Sequence, residues 1–286
     1  MKREGYLMER IADPDNLRLA FWKARKGKNY NDEVKHYRFR LDANLAELRR
    51  ELLAGDVPVG DYRYFHIYDP KERMICAAAF RERVLHHAVM IVCHPVFERF
   101  QTDDSYASRI GKGQYAALEK AKTHTRHYRW FCKLDVRKFF DSIDHETLYG
   151  LLSRRFKDPA LLGLFRRIID SYRTAPGCGL PIGNLTSQHF ANYYMAYADH
   201  HVREALHAPA YVRYMDDMVL WHDDKTELLR ITAGLTSFIG ERLRLTLKPP
   251  CINNTDKGVP FLGYVLFPGR VRLNRNSKKR FRCKMN

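Results

Sequence analysis

The chain has 286 residues, 45% of them hydrophobic, which allows one large domain or two interlocked subdomains and excludes a disordered chain. Fifty Lys and Arg against 33 Asp and Glu give a net charge of +17 and a pI near 9.7, a balance that favours a polyanionic partner, most often nucleic acid. No apolar run reaches the ~18 residues a membrane span needs. The longest, around 84–96, is broken by His86, His87, His94 and Pro95.

The segment LDANLAELRRELL (41–53) has apolar positions at helical spacing, and Gly55, Pro58 and Gly60 stop it. DYRYFHIYDP (61–70) alternates aromatic and polar residues as a strand does; Asp69, Pro70 and Lys71 read as a turn, and RMICAAAF (73–80) as the returning strand. Residues 81–100 read as a long helix, kinked or broken at Pro95. WFCKLDVRKFF (130–140) is a strand running into a tight turn, and Asp144 caps a helix that starts at His145. Another helix over 161–172 is closed by the Pro176-Gly177-Cys178-Gly179 loop, and 186–206 is helical with small residues on one face. YVRYMDDMVLWHDD (211–224) reads as two short strands joined at Met215 and Asp216, with a helix over 225–242 behind them. The tail from Pro268 onward is basic and polar. This order predicts an α+β fold with one antiparallel sheet and helices on one face. No repeat or low-complexity linker marks independent domains. The N-terminus (MKREGYLMERIADPD) lacks an apolar signal core, and the six cysteines show no CxxC or zinc spacing. They read as reduced packing residues of a cytoplasmic protein.

Two acidic clusters stand where strands should be apolar. Asp135 lies beside Leu134 and Val136, and Asp216 and Asp217 are flanked by Tyr214, Met215, Met218, Val219 and Leu220. A carboxylate there is costly without a compensating cation. Adjacent carboxylates also repel, so a strand tip holding two of them needs positive charge. A Lys or Arg can supply it, but a divalent metal is the stronger explanation, because Mg²⁺ takes hard oxygen ligands. Nucleotidyl transfer needs such a set, with two metals ~3.5–4 Å apart on the attacking and leaving oxygens. Each cluster alone has a bland reading, as a turn cap or a solvent-facing pair.

The pair in YVRYMDDMVL resembles the palm hairpin of reverse transcriptases, and KLDVRKFFDSIDH (133–145) resembles the palm strand that supplies their other metal-binding aspartate. GLPIGNLTSQHFANYYM (179–195), LRLTLKPPCINN (243–254), GVPFLGYVLF (258–267) and PKERMICAAAFRERVLHHAV (70–89) are similar to the remaining blocks, in the family's order. Where most members carry PQG and then SP, this chain has Ile182 and Gln188, which, with DSYASRIGKGQYAAL (104–118), resembles the enzymes of diversity-generating retroelements. The resemblance implies a right-hand polymerase: an α+β fingers–palm fold with an antiparallel palm sheet backed by helices, and a thumb truncated or minimal. It implies an N-terminal helical extension over 1–60, fingers over 61–134, a palm over 135–267 with an interleaved fingers segment near 150–180, and the start of a thumb or a basic tail over 268–286.

The implied activity is RNA-directed DNA synthesis from a template-repeat RNA, with errors concentrated at template adenines. Asp135 and Asp216 become direct ligands of two Mg²⁺ ions, for which Mn²⁺ can substitute. Asp217 supports the site, the Val136 carbonyl completes a coordination sphere, and Lys248 is a general acid toward pyrophosphate. For the dNTP, Arg73 and Arg83 contact the triphosphate; Arg81 is the weaker match and reads as a solvated helix residue. Phe140 matches the gate that excludes a 2′-hydroxyl, while Phe139 packs. Ile182 and Gln188 line the nucleotide pocket, Lys112 is a candidate template contact, and His86 and His87 are structural. The implied partners are template RNA, the RNA/DNA heteroduplex and an accessory variability protein, with no membrane, in a bacterial, archaeal or phage-encoded cytoplasmic system. The alternatives are a reverse transcriptase of a defence system, retron or group II intron, and a catalytically idle nucleic-acid-binding scaffold. Retention of all three aspartates and Phe140 argues against the scaffold.

Overall fold

The computed structural model describes residues 3–68 and 72–285, so the turn expected at Asp69, Pro70 and Lys71 lies outside the described residues. The chain divides into two compact units, residues 1–99 with 140–191 and residues 100–139 with 192–286.

The first unit opens with four helices, α1 (Met8–Ile11), α2 (Pro14–Arg25), α3 (Asp32–Phe39) and α4 (Leu41–Ala54). Asp13 starts α2 by accepting the backbone N–H groups of Asp15 and Asn16, with Pro14 where its missing N–H costs nothing. Strands β1 (Tyr62–Ile67) and β2 (Arg73–Ala78) pair antiparallel, Tyr62 opposite Ala78 and Ile67 opposite Arg73. Helix α5 (Phe80–Glu98) runs through Pro95 rather than breaking there. Pro95 falls in its last turn, so the ring forfeits a bond where few remain to be made.

Residues 100–139 contribute α6 (Gln114–His127) and β3 (Trp130–Asp135) to the second unit, and the short α7 (Phe139–Ser142) marks the return to the first. There Asp144 accepts the Thr147 N–H to start α8 (His145–Ser153), and Asp158 accepts from Ala160 and Leu161 to start α9 (Pro159–Asp170). Helix α10 (Leu185–His200) begins in the first unit and ends in the second, where a π-helical turn (His201–Ala205) extends it. Then come β4 (Ala210–Tyr214), β5 (Asp217–His222), α11 (Lys225–Leu243), β6 (Cys251–Asn254), β7 (Val259–Phe261), β8 (Tyr264–Phe267), β9 (Arg270–Leu273) and α12 (Arg275–Met285).

The second unit is built on a four-stranded antiparallel sheet of order β4–β5–β3–β6, beside a β7–β8–β9 meander. Side chains alternate across the sheet. One face carries Phe131, Lys133 and Asp135 of β3, Asp217, Val219 and Trp221 of β5, and Ala210, Val212 and Tyr214 of β4. Ala117, Leu118 and Ala121 of α6 cover its apolar end, in one core with Phe131, Val212, Val219, Trp221 and the meander's Val259, Phe261 and Leu266. The opposite face carries Cys132, Leu134, Met218, Leu220, Tyr211 and Arg213 and is backed by α10 and α11, which the Tyr194 hydroxyl ties together by donating to the Leu243 carbonyl.

The α+β palm-like sheet backed by helices is therefore present, but helices lie on both faces instead of one. The apolar stripe of α6 is three residues in an otherwise polar segment, too narrow to announce a packed helix. Among the described residues no helix is long and apolar enough to cross a membrane.

Candidate active site

Strand β3 runs apolar until Asp135, which pairs directly with Asp217 of β5. Tyr214 also pairs with Asp217, so Met215 and Asp216 form a two-residue hairpin turn. Met215 has φ 58°, a left-handed conformation that a non-glycine residue adopts at a cost of about 1–3 kcal/mol. The turn thus puts Asp216 at the tip and Asp217 beside Asp135. On the other side of β3, the Lys248 N–H donates to the Asp135 carbonyl at 2.9 Å and the Arg137 N–H to the Thr246 carbonyl at 2.8 Å. These bonds bracket Val136 and Leu247 as a non-hydrogen-bonded pair, so the Val136 carbonyl is not spent on that neighbour.

Two lysines answer the negative charge. Lys248 Nζ lies 2.6 Å from Asp135 Oδ1, and Lys133 Nζ lies 3.3 Å from Asp217 Oδ1 and donates to its Oδ2 at 3.4 Å. Both Oδ1 atoms are buried, yet neither accepts a hydrogen bond of proper geometry; the ammonium groups are near but not aligned. Burial, with Asp216 and Asp135 adding to it and Lys133 opposing, pushes the Asp217 carboxyl up to about 6. Buried carboxylate oxygens without directional partners, on adjacent strands, are the hard donor set that a divalent ion suits. No closed cluster of three His, Cys, Asp or Glu side chains occurs among the described residues.

The raised pKa has a stability consequence in the metal-free protein. The folded value of about 6 lies above the ordinary aspartate value of 3.8, so the protonated carboxyl's favourable contribution is complete below about pH 4 and lost as pH rises through about 6. Asp217→Asn is therefore expected to stabilise the chelator-treated protein at pH 7.5 by roughly 1–3 kcal/mol, and to change it little at pH 4. Urea denaturation at the two pH values measures this. Equal stability of variant and parent at pH 7.5 would show that the carboxylate is adequately compensated as it stands.

Asp135, Val136, Asp216, Asp217 and Lys248 thus come together in the second unit, with Lys248 paired to Asp135. Arg73, Arg83, Phe140, Ile182 and Gln188 belong to the first unit. Arg73 is exposed at the end of β2, and Arg83 Nε donates to the Ala78 carbonyl at 2.7 Å. Arg81 is not a solvated helix residue: it forms an ion pair with Glu51. The Cys76 N–H donates to the Ile182 carbonyl at 2.8 Å, seating the loop on β2. Gly183, at φ 123°, sits so close that a Cβ would lie 3.1 Å from the Cys76 carbonyl oxygen. Ile182 is half-buried and Gln188 exposed. Phe139 is buried and Phe140 partly exposed. In the second unit Lys112 folds back, its Nζ donating to the Asp103 carbonyl at 2.7 Å beneath the Tyr106 ring. His86 is buried in the first unit, 3.4 Å from Glu82, as a structural residue would be.

Sequence reasoning missed Arg213. Its side chain is fully buried, paired with an equally buried Asp199 and hydrogen-bonded to Asn192 and to the Met215 carbonyl. The signal was available: a charge at an inward position of an apolar strand, the same anomaly that singled out Asp135.

With this geometry in view, the reverse transcriptase (RNA-dependent DNA polymerase) family matches residues 69–266. The chain belongs to the reverse transcriptase family. Similar curated proteins include the group II intron-encoded protein LtrA of Lactococcus lactis subsp. cremoris, 24% identical over 215 residues that cover 68% of this chain and 35% of that protein. Protein YkfC of Escherichia coli (strain K12) is 24% identical over 290 residues, covering 82% of this chain and 74% of that one. This reverse transcriptase chain therefore spans about a third of its Lactococcus relative's length. Among solved structures, apo telomerase from Candida tropicalis superposes with a TM-score of 0.56 at 11% identity, over 76% of this chain and 49% of that one. Telomerase from Candida albicans gives 0.52 at 13% identity, over 77% and 46%. At these identities the likeness is one of fold, and it agrees with the palm-like sheet described above.

Proposed function

We propose that this chain is the RNA-directed DNA polymerase of a diversity-generating retroelement, copying a template-repeat RNA into cDNA with errors concentrated at template adenines. One observation carries the polymerase reading: Asp135 and Asp217 pair on adjacent strands next to the Asp216 turn, with buried carboxylate oxygens lacking directional partners. In this reading Asp135 and Asp216 hold the metals directly, Asp217 supports them or acts through water, and the Val136 carbonyl adds a ligand. Two Mg²⁺ ions, or Mn²⁺ in their place, supply the charge that stabilises the attacking and leaving oxygens when bound. The primer 3′-hydroxyl gives up its proton to solvent as its oxygen bonds to the α-phosphorus, the bond from that phosphorus to the bridging β-phosphate oxygen breaks, and pyrophosphate departs. Lys248, already beside Asp135, has a proton to give to that leaving group. Arg73 and Arg83 bind triphosphate oxygens, Phe140 excludes a 2′-hydroxyl, and the net charge of +17 favours template RNA and the heteroduplex. Residues 135–267 are then palm and 61–134 fingers, and an accessory variability protein is the expected partner.

The subfamily rests on Ile182 and Gln188 in the central loop and on the 104–118 block. Ile182 offers no side-chain hydrogen bond where most members have glutamine. One such bond is worth roughly 0.5–1.5 kcal/mol net, or about 2- to 12-fold in discrimination. A large adenine bias therefore also draws on other residues, Arg73 and Gln188 among them. A second reading, a reverse transcriptase serving intron mobility, is favoured by the intron-encoded relative.

Deep sequencing of cDNA made in vitro from a defined RNA, with any required RNA and accessory protein present, separates the two. Misincorporation is expected to be far more frequent opposite template adenine than opposite the other bases, and Ile182→Gln to reduce that bias severalfold without abolishing synthesis. Equal error rates opposite all four bases would leave a reverse transcriptase outside the retroelement group.

A further inference from the structure

We infer that Arg213 is a positioning residue for the carboxylate turn: clamped by Asp199 and Asn192, it fixes the Met215 carbonyl and through it the Asp216 carboxylate. This rests on the polymerase reading above. Every part of the guanidinium is engaged. Nε donates to Asp199 Oδ1 at 2.6 Å, Nη2 to Asp199 Oδ2 at 2.5 Å, and Nη1 to Asn192 Oδ1 at 2.7 Å and to the Met215 carbonyl at 3.0 Å. Longer contacts of 3.4 Å run from Nη2 to Gln101 Oε1 and to the Asn192 carbonyl. Asp199 also accepts the Tyr211 hydroxyl at 2.9 Å, and Asn192 Nδ2 is anchored on the Ala107 carbonyl at 2.9 Å.

The backbone of Arg213 is gripped as well. Its N–H donates to the Asp104 carbonyl at 2.9 Å, and its carbonyl accepts the Tyr106 N–H at 3.0 Å. The block at 104–106 thus forms a bridge along the outer side of β4, and Asp104 is itself held by an ion pair with Arg203 on the π-helical turn.

A fully buried ion pair is a poor source of net stability, since desolvation consumes most of its Coulombic gain. What it supplies is geometry. The bond from Nη1 leaves this clamp for the turn, where Met215 is held at positive φ. The Met215 carbonyl and the Asp216 N–H share one planar peptide unit, so orienting the carbonyl orients the plane from which the Asp216 side chain projects. Arginine suits the task because its rigid fork reaches Asp199, Asn192 and Met215 at once; a lysine is a single point and cannot.

The test is Arg213→Lys, which keeps the charge opposite Asp199 but loses the fork. The protein is assembled with template RNA, a dideoxy-terminated primer and the matching dNTP, and Mn²⁺ binding is followed by the EPR signal of free Mn²⁺. The Mn²⁺ midpoint is expected to weaken about fivefold, less than the 10–100-fold of a side chain bonded directly to a metal ligand, because Arg213 acts through a backbone carbonyl. The Mg²⁺ requirement for primer extension should rise in parallel, both being measured well below the variant's unfolding transition, which loss of buried hydrogen bonds will lower. A merely structural role would lower the melting temperature too, but would leave the midpoint of the folded protein unmoved. Asn192→Ala leaves the ion pair intact and frees the same Nη1, so it should shift the midpoint in the same direction by a smaller factor; it decides the matter if Arg213→Lys does not fold. A wild-type midpoint in the folded variant overturns this inference alone. A wild-type chain that extends no primer and binds no more Mn²⁺ than Asp216→Ala overturns the polymerase reading, and this inference with it.

Discussion

Asp216→Ala is expected to reduce DNA synthesis to background while leaving fold and RNA binding largely intact. Asp216 occupies the tip of a two-residue turn and is only partly buried, so truncating it opens no core cavity. The strands on either side are held by the Tyr214–Asp217 and Asp135–Asp217 pairings, which do not require its carboxylate. In the proposed reading RNA affinity comes mainly from the excess of basic residues, and removing one acidic group leaves that excess in place. Nucleotidyl transfer, by contrast, has no substitute for a metal ligand, because charge on both reacting oxygens must be stabilised at once. Primer extension with Mg²⁺ and with Mn²⁺, beside RNA filter binding on the same preparations, measures both halves. Synthesis above background by the Ala variant, with either ion, would remove Asp216 from the metal site.

The parts of this site written in local sequence were legible, and those made by distant pairing were not. Carboxylates within apolar strands, next to a two-residue turn, carry their anomaly in a ten-residue window, whereas the pairing that sets Asp135 beside Asp217 joins strands some eighty residues apart. The helix cap at Asp144 is equally local, its side chain reaching the Thr147 N–H three residues on. Arg213 could have been flagged by the same anomaly, but its partners could not. Asp199 and Asn192 lie on a helix whose packing against this strand no nearby residue encodes, and Asp104 and Tyr106 come from more than a hundred residues upstream. Lys133 shows the same limit, an ordinary basic residue in sequence that β3–β5 pairing brings to Asp217; Lys248 is singled out only by the family resemblance, and the bridge from Val136 to Leu247 is what brings it to Asp135.

Phe140→Ala is expected to raise the ratio of ribonucleotide to deoxyribonucleotide incorporation by at least about tenfold, on the order of 1–3 kcal/mol of lost discrimination. The adjacent pair Phe139-Phe140 divides the labour that two bulky rings can do. Phe139 is 4% exposed and belongs to the packed interior, whereas Phe140 is only partly buried. Its backbone is fixed, the carbonyl accepting the Leu180 N–H at 2.8 Å, so a substitution there changes the ring and not the course of the chain. A ring presented in this way can exclude a 2′-hydroxyl by bulk alone, the group that distinguishes the two sugars. The comparison that isolates the effect is Phe139→Ala, which should cost stability, about 3–5 kcal/mol for a buried ring, without moving the sugar ratio of whatever protein remains folded. Single-nucleotide extension with matched rNTP and dNTP, reported as the ratio of kcat/KM values, separates selectivity from general loss of activity. An unchanged ratio in Phe140→Ala would make this ring another packing residue and leave the sugar to be read by a different side chain.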